Sequence, residues 1–125
     1  MPKLKKLYHG TTPEAWASIE KDGIKPMGIE GVIYLSVDRT DCARFIIDSK
    51  DCKIERDENG QMKIEPRTHL YVIEIDAMQI NKKLLKQGID HNPEIYKHAV
   101  FTYPDVIPTE AFSDIWKLDL QKLQR

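Results

Sequence analysis

The sequence predicts an α+β domain whose sheet is mixed or antiparallel and split around a cleft. Its segments follow the order strand, helix, strand, helix, hairpin, strand, helix, strand, strand, which a regular βαβ array does not produce. The chain has 125 residues, 41% of them apolar, which suits one domain with one core. We therefore expect residues 1–125 to form a single domain.

The first two elements are predicted as a strand from Leu4 to His9 and a helix from Pro13 to about Asp22. Thr12 is a preferred N-cap residue, and proline is favoured at the first helical position because its missing N–H is not needed there. Gly23 suits the left-handed residue that ends many helices. A tight turn therefore joins this strand to this helix.

The next strand is predicted from Val32 to Ser36, because β-branched and aromatic residues favour strands. Asp38 then suits the N-cap of a second helix. Cys42, Phe45 and Ile46 follow at helical spacing, which places them on one face of that helix. We expect this face to pack on the core.

Two short alternating runs, Cys52 to Arg56 and Gln61 to Glu65, flank turn-forming residues and predict a hairpin. A three-residue loop from Glu58 to Gly60 would set Ile54 opposite Ile64, whereas a two-residue loop would not, and we favour the former. The hairpin carries little apolar surface. We therefore expect a peripheral flap.

The run from His69 to Asp76 has the strongest strand pattern in the chain and is predicted to be central in the sheet. A short helix is predicted from Ala77 to Gln87, closed by Gly88. Further along, the sequence indicates a strand from Ala99 to Thr102 and a single helical turn from Thr109 to Phe112.

The end of the chain carries two periodicities. Trp116 and Leu118 alternate with polar residues as in a strand, whereas the spacing of Phe112 and Ile115 also suits a helix. We predict a strand from about Asp114 to Leu120.

Composition excludes several classes of protein. With 19 basic and 20 acidic residues the net charge is −1, so any polyanionic partner would need a local site. No run approaches the roughly 20 apolar residues that cross a bilayer, and the first residues lack the apolar region of a signal peptide. We expect a soluble, cytoplasmic protein with no membrane partner. Cys42 and Cys52 fit no metal or disulfide spacing, so no metal cofactor is expected.

Two stretches carry chemistry at strand ends. The run from Leu7 to Thr12 places His9 on a rigid element, and Gly10 has no Cβ to keep another group away from the main chain. In the strand from Val32 to Ser36, Tyr34 and Ser36 are two residues apart and so share a face. Together these groups could line a pocket that grips a planar amide.

At this point the sequence resembles a known family. Tyr8 to Thr11, Ile19 to Ile24, Ile33 to Ser36 and Val106 to Phe112 look, in this order, like motifs of the ADP-ribosyltransferase superfold. Within it the likeness is greatest to the RNA 2′-phosphotransferase-like branch, in which a histidine-glycine strand end, a Leu-Ser strand and an Ile-Pro-Pro-Glu element recur. The resemblance spans nearly the whole chain and implies an NAD cleft.

The chain departs from that branch at three points. Its sequence begins directly at the transferase lobe, without the amino-terminal lobe that supplies basic catalytic residues to the phosphotransferases. Tyr34 stands where those enzymes carry a second histidine, which is more like the histidine-tyrosine-acid pattern of ADP-ribosyltransferases that bind NAD. Thr109 replaces the second proline of the family element.

The resemblance implies roles for individual residues toward NAD. His9 would bind a ribose hydroxyl, and the main chain of Gly10 would hold the nicotinamide carboxamide. Tyr34 would stack on the nicotinamide, Ser36 would place a hydroxyl near the same ring, and Thr11 would belong to the same cofactor site.

Acidic and basic groups complete the implied site. Glu110 is our first candidate for the catalytic carboxylate because it follows a proline turn, and Glu74 is the alternative. Arg44 would bind the diphosphate of NAD, with Arg39 and Lys25 as other candidates.

These expectations describe an NAD-dependent ADP-ribosyltransferase that releases nicotinamide and modifies a protein or nucleic-acid acceptor. A toxin, a phage protein or a defence factor would fit this description. Two alternatives stay open: an RNA 2′-phosphotransferase-like enzyme that also uses NAD, and a catalytically inactive NAD-binding or nucleotide-binding module of the same fold.

Overall fold

The computed structural model describes residues 5–27, 31–87 and 100–120. In chain order its helices and strands are β1 (Lys6–Thr11), α1 (Pro13–Asp22), β2 (Ile33–Ser36), α2 (Arg39–Lys50), β3 (Cys52–Arg56), β4 (Met62–Pro66), β5 (His69–Asp76), β6 (Lys86–Gln87), β7 (Val100–Tyr103) and β8 (Phe112–Asp119). Short 3₁₀ turns lie at Ala77–Gln79, Lys82–Leu84 and Thr109–Ala111.

One six-stranded sheet forms the body of the molecule, in the order β6-β7-β2-β1-β5-β8, and β3 pairs with β4 in a separate two-stranded sheet. Every pairing between the described strands is antiparallel. The predicted α+β class is therefore confirmed, with an antiparallel sheet where the structure describes it. β5 lies inside the sheet, between β1 and β8, and not at its centre.

β1 continues past the end that the sequence predicts. Its ladder with β5 extends to the pair of Thr11 and Tyr71, so the strand ends at Thr11 and not at His9. His9 consequently lies within a strand that is hydrogen-bonded on the β5 side, which fixes its main chain more firmly than a strand end would.

Both helices begin where their capping residues predict. The hydroxyl of Thr12 accepts a hydrogen bond from the Ala15 N–H at 3.2 Å, and the Asp38 carboxylate accepts one from the Asp41 N–H at 2.9 Å. Gly23 ends α1 with φ of 82° and ψ of −179°, so its φ is positive as predicted but its ψ is extended instead of left-handed helical. A Cβ at Gly23 would collide with the Ile107 carbonyl, a second reason for glycine there.

Alternation along the strands gives the sheet two apolar faces. The face covered by α1, here called the α1-side core, contains Leu7, Leu35, Ile73 and Ile75. The face covered by α2, here called the α2-side core, contains Cys42, Ile46, Leu70 and Val72. Burial on both faces makes the middle of the sheet the most rigid part of the described chain.

α2 crosses β1 at Gly10. An ideal Cβ on Gly10 would lie 2.7 Å from Cβ of Ile46 and 3.1 Å from its two γ carbons. The φ of Gly10 is not positive, so glycine is required here by space and not by backbone conformation. Phe45, predicted to be buried on the same helix face, is 39% exposed, whereas Cys42 and Ile46 are buried in the α2-side core. That part of the prediction is wrong.

The helix predicted from Ala77 to Gln87 is also wrong. Asp76 and Asn81 each accept a hydrogen bond from the main-chain N–H two residues later, which closes two separate 3₁₀ turns. The Asn81 N–H donates to the hydroxyl of Tyr103 at 3.1 Å, which removes it from any helical ladder. The chain then pairs with β7 as the short strand β6.

Two predicted positions near this segment, Gly88 and Ala99, lie outside the described residues. The strand predicted from Ala99 is present as β7 and runs one residue beyond the predicted end. The helical turn predicted at Thr109 is present as the 3₁₀ turn Thr109–Ala111.

The last strand is present but starts earlier than predicted, at Phe112. Its register with β5 shifts by one residue between Glu74 and Ile75, where Ile75 pairs with Phe112 and Glu74 pairs with Asp114. This bulge turns Phe112 and Ile115 to the same face, where both pack on the α1-side core.

The hairpin β3–β4 has the predicted register, with Ile54 opposite Ile64. Asp57 and Gln61 close its loop through a main-chain hydrogen bond of 2.9 Å. Both isoleucines are about 60% exposed, so the hairpin is peripheral, as predicted.

Arg67 ties the base of the hairpin to both helices. Its Nη1 donates to the carbonyl oxygens of Lys50 and Cys52 at 2.9 and 2.7 Å, and its Nη2 donates to Glu14 of α1 at 2.8 Å. The guanidinium in turn lowers the pKa of Glu14. Its Nε is buried without a hydrogen-bond partner among the described residues. The cost of burying this group offsets part of the stabilisation that the other Arg67 hydrogen bonds provide.

Replacing Gly10 by alanine should destabilise the protein by about 1–3 kcal/mol, because the new methyl group overpacks the contact with Ile46. The midpoint of urea unfolding measures the change. Combined with Ile46→Gly, which removes the Cβ as well as the two γ carbons, the loss should be smaller than the sum of the two single losses. Additive losses would contradict this steric reading.

Arg67→Lys keeps the positive charge but loses the two-sided donor geometry, so we expect a loss of roughly 1.5–3 kcal/mol in unfolding free energy. Amide hydrogen exchange should accelerate in β3 and β4 more than in β5. Lys63→Ala is the matched control, because its ion pair with Glu65 is exposed and should matter little. Equal exchange in both variants would refute the role of Arg67.

Candidate functional site

The candidate site lies where β1 and β2 separate. β1 pairs with β5 over its whole length, whereas its described pairing with β2 consists of Tyr8 opposite Ser36. Beyond that pair the two strands diverge and leave a cavity of about 210 Å³ under α2. The sequence predicts a sheet split around a cleft, and this divergence is the place where the described sheet opens.

Four residues of the predicted site line this cavity together: His9 and Gly10 of β1, and Tyr34 and Ser36 of β2. They come from two sequence stretches twenty-five residues apart. Antiparallel pairing at Tyr8 and Ser36 sets the register that brings the two stretches side by side.

His9 is held by a hydrogen bond of 2.9 Å between its Nδ1 and the main-chain oxygen of Tyr34. A carbonyl oxygen can only accept, so Nδ1 carries the proton and Nε2 of the neutral ring is an acceptor. Burial lowers the pKa of His9, outweighing the hydrogen bond to Tyr34, which raises it. The imidazole is therefore neutral near pH 7.

Tyr34 and Ser36 share one face of β2, as predicted, because the intervening Leu35 is buried in the α1-side core. Tyr34 is 39% exposed and is part of the cavity lining. The Ser36 hydroxyl donates to the Asp38 carbonyl at 2.9 Å and accepts from the Asp38 N–H at 3.1 Å. Ser36 therefore also shapes the turn into α2.

Gly10 lines the cavity, but the space beside its Cα is taken by Ile46. The close approach that the sequence suggests for a ligand is thus made by α2. Any ligand contact with Gly10 would involve its peptide groups on the side that faces the cavity.

The remaining predicted site residues lie elsewhere. Glu110 is exposed on the 3₁₀ turn that contributes Ala111 to the α1-side core, and it does not line the cavity. Thr11 is 5% exposed in β1 and does not line it either. Arg44 is exposed on α2, outside the lining.

The two other candidate diphosphate ligands also lie outside the cavity lining. The Arg39 guanidinium lies over the ring of Trp116, 4.6 Å from its centroid, which is a cation–π contact. Lys25 is exposed and absent from the lining. A basic side chain that does line the cavity is Lys50, at the last position of α2.

Sequence reasoning missed the contribution of α2 to the lining, which consists of Asp41, Cys42, Phe45, Ile46, Ser49 and Lys50. Asp41, Phe45 and Ser49 recur every four residues and form one stripe beside the buried face of the helix. That spacing is visible in the sequence, but its meaning depends on how α2 crosses β1. Asp41 is 7% exposed and is an acidic residue of the lining.

Cys42 lines the cavity without offering a nucleophile. Burial and the nearby Asp38 raise the pKa of its thiol to about 12. The thiol therefore stays protonated at neutral pH and acts as a small apolar group.

A polar network adjoins the cavity at Tyr8. The Tyr8 hydroxyl donates to Oε1 of Glu74 at 3.3 Å, and the Ser113 hydroxyl donates to Oε2 of Glu74 at 2.7 Å. Lys6 completes the network, with Nζ 3.7 Å from Glu74. Burial and the charge of Glu74 raise the pKa of Tyr8, so its phenol is protonated at neutral pH.

In the described ranges, neither helix is long and apolar enough to span a membrane. The same ranges hold no group of three or more histidine, cysteine, aspartate and glutamate side chains arranged for a metal ion.

Comparisons with known proteins add no family to these observations. No model of a known protein family matches the chain. No curated protein matches it at a significant level. The function of the cavity is therefore inferred from its geometry and from the chemistry of its lining.

Proposed function

We propose that this protein is an NAD-dependent ADP-ribosyltransferase, which breaks the nicotinamide–ribose bond of NAD and transfers ADP-ribose to a protein or nucleic-acid acceptor. The observation that supports it best is the cavity between β1 and β2, where His9, Gly10, Tyr34 and Ser36 meet. These are the residues to which the family resemblance assigns the nicotinamide riboside.

His9 would bind the ribose. Its neutral ring carries the proton on Nδ1, which donates to the Tyr34 carbonyl, so Nε2 would be the atom that accepts from a ribose hydroxyl. Because the carbonyl belongs to the neighbouring strand, the ring orientation is fixed before the ligand arrives, and little rotamer entropy is lost on binding.

The nicotinamide ring would lie against Tyr34, with Phe45 as a second aromatic wall. Both rings are 39% exposed, and an aromatic face is a suitable surface for a planar ring. A volume of about 210 Å³ is below the roughly 300–1,000 Å³ of drug-sized pockets, so it would hold one end of a dinucleotide. The diphosphate would leave the cavity near Lys50, whose ammonium is a suitable point charge.

The developing oxocarbenium ion needs a nearby negative charge. Asp41 is the acidic residue of the lining among the described residues, whereas Glu110 is not part of the lining. We therefore transfer the charge-stabilising role that the sequence suggests for Glu110 to Asp41.

A second candidate function is an inactive NAD-binding or nucleotide-binding module. The position of Glu110 favours it, because the acid expected from the resemblance is not part of the cavity lining. The two functions differ in one result: the module binds NAD without releasing nicotinamide.

The test is NAD binding by titration calorimetry together with nicotinamide release by the purified protein. Asp41→Asn should reduce release by about 10²–10³-fold. Tyr34→Ala should weaken NAD binding by about 10-fold, the upper end of the value of an aromatic contact. Glu110→Gln and His69→Ala, which change groups outside the cavity, are the matched controls.

Wild-type protein that neither binds NAD nor releases nicotinamide would end this proposal. Binding without release would favour the inactive module. Release that depends on Glu110 and not on Asp41 would return the catalytic role to the residue that the sequence suggests.

The affinity for NAD should fall as the pH decreases below about 6.5, the ordinary pKa of histidine. The pKa of folded His9 is lowered, so the ring is neutral at pH 7 and becomes charged only below 6.5, where Nε2 ceases to be an acceptor. The unfolded chain takes up this proton first, so stability should also decrease in that range. Calorimetry and urea unfolding at pH 7.5 and 5.5 measure both effects.

His9→Asn is the control for this pH dependence, because asparagine does not titrate. Its affinity and stability should vary less between the two pH values than those of the wild type. The opposite sign, tighter NAD binding at pH 5.5, would show that His9 binds in its charged form.

A further inference from the structure

Tyr8 connects the cavity to a carboxylate that lies outside it. The residue lines the cavity, and its ring packs against Trp116 with a centroid distance of 5.8 Å. Tyr8 and Glu74 are directly paired across β1 and β5, so both side chains leave the sheet on the α2 side. Their hydrogen bond of 3.3 Å is long, as such bonds often are before a substrate is bound.

Glu74 is surrounded by donors. Oε2 accepts from the Ser113 hydroxyl at 2.7 Å, and Lys6 is 3.7 Å away, while Oε1 accepts from Tyr8. Its side chain is 17% exposed, so the orientation is set by these neighbours more than by water. Glu74 is not part of the lining and can act on a bound molecule only through Tyr8.

We propose that Tyr8 and Glu74 form a proton relay that activates a hydroxyl group as the acceptor of ADP-ribose. This inference rests on the proposed function. Tyr8 is the catalytic residue because it would touch the acceptor, and Glu74 is a positioning residue that acts through it.

The bond between C1′ of the ribose and N1 of nicotinamide breaks, and its electron pair leaves with the nicotinamide. A lone pair of the acceptor oxygen forms the new bond to C1′. The acceptor proton moves to the Tyr8 oxygen as the phenol proton moves to Glu74, which ends as a neutral carboxylic acid.

Other groups in the lining suit this role less well. The hydroxyls of Ser36 and Ser49 donate to main-chain oxygens, at 2.9 and 2.6 Å. The Cys42 thiol holds its proton, since its pKa is about 12. His9 donates through Nδ1 to the neighbouring strand, and its Nε2 is already assigned to the ribose hydroxyl in the proposed function. Tyr8 is a residue of the lining whose hydroxyl is already hydrogen-bonded to a carboxylate.

The experiment measures NAD solvolysis in water and in dilute methanol, by nicotinamide release and by formation of methyl ADP-ribose. Tyr8→Phe keeps the ring against Trp116 and removes the hydroxyl. We expect the rate of ADP-ribose transfer to methanol to fall by about 10²-fold, the lower end for general-base catalysis, with an unchanged KM for NAD.

Trifluoroethanol distinguishes a catalytic role of Tyr8 from a structural one, because a structural defect would slow the reaction equally with both alcohols. Its hydroxyl is more acidic than that of methanol, so it depends less on a base. The loss caused by Tyr8→Phe should therefore be smaller with trifluoroethanol than with methanol. Circular dichroism at the same alcohol concentrations verifies that both proteins remain folded.

Glu74→Gln should reproduce the loss seen for Tyr8→Phe, and the double variant should be no slower than either single one, since the two residues act as one unit. Ser113→Ala is the matched control, because it removes a donor from Glu74 and leaves the bond to Tyr8 in place. Ser113→Ala should lower the rate of ADP-ribose transfer to methanol by less than 10-fold.

The outcomes separate the two proposals. Wild-type turnover that Tyr8→Phe leaves unchanged, or an equal loss with both alcohols, overturns the relay and leaves the transferase function standing. A wild-type protein that releases no nicotinamide in any solvent overturns both.

Discussion

The divergence of β1 from β2 is the constraint on which the candidate site depends. A sheet that continued its ladder beyond Tyr8 and Ser36 would fill the space with main-chain hydrogen bonds and leave no cavity. The strands can separate because each has another neighbour, β5 on one side and β7 on the other. At the opening the His9 ring takes the place of a main-chain donor, because its Nδ1 donates to the Tyr34 carbonyl of β2.

Local signals predict much of this fold. Thr12 and Asp38 start their helices as expected because a cap depends on a few adjacent residues, and the hairpin register follows from its loop length. The predictions are wrong where residues distant in the sequence determine the local structure. Tyr103 captures an N–H from the segment read as a helix, and the bulge in β8 gives Phe112 and Ile115 the spacing that makes a strand resemble a helix.

The sequence predicts the site residues that lie on β1 and β2, but not those that lie on α2. His9, Gly10, Tyr34 and Ser36 lie in short motifs whose register two paired strands can satisfy. The role of α2 depends on where it crosses the sheet, which is fixed by the fit of its buried face into the space above β1. The sequence shows that residue 10 is a glycine. It does not show whether a ligand or a helix occupies the space beside its Cα.

The hairpin β3–β4 is closed at its base. Its two ends are held together by a main-chain hydrogen bond of 2.7 Å from Arg67 to Asp51, outside the six-stranded sheet. A chain whose entry and exit points already touch can be rebuilt between them without changing the distance that the scaffold must span. This position is accordingly a natural graft site, where an epitope or a fluorescent reporter could replace residues 53–65 and leave the architecture around the cleft intact.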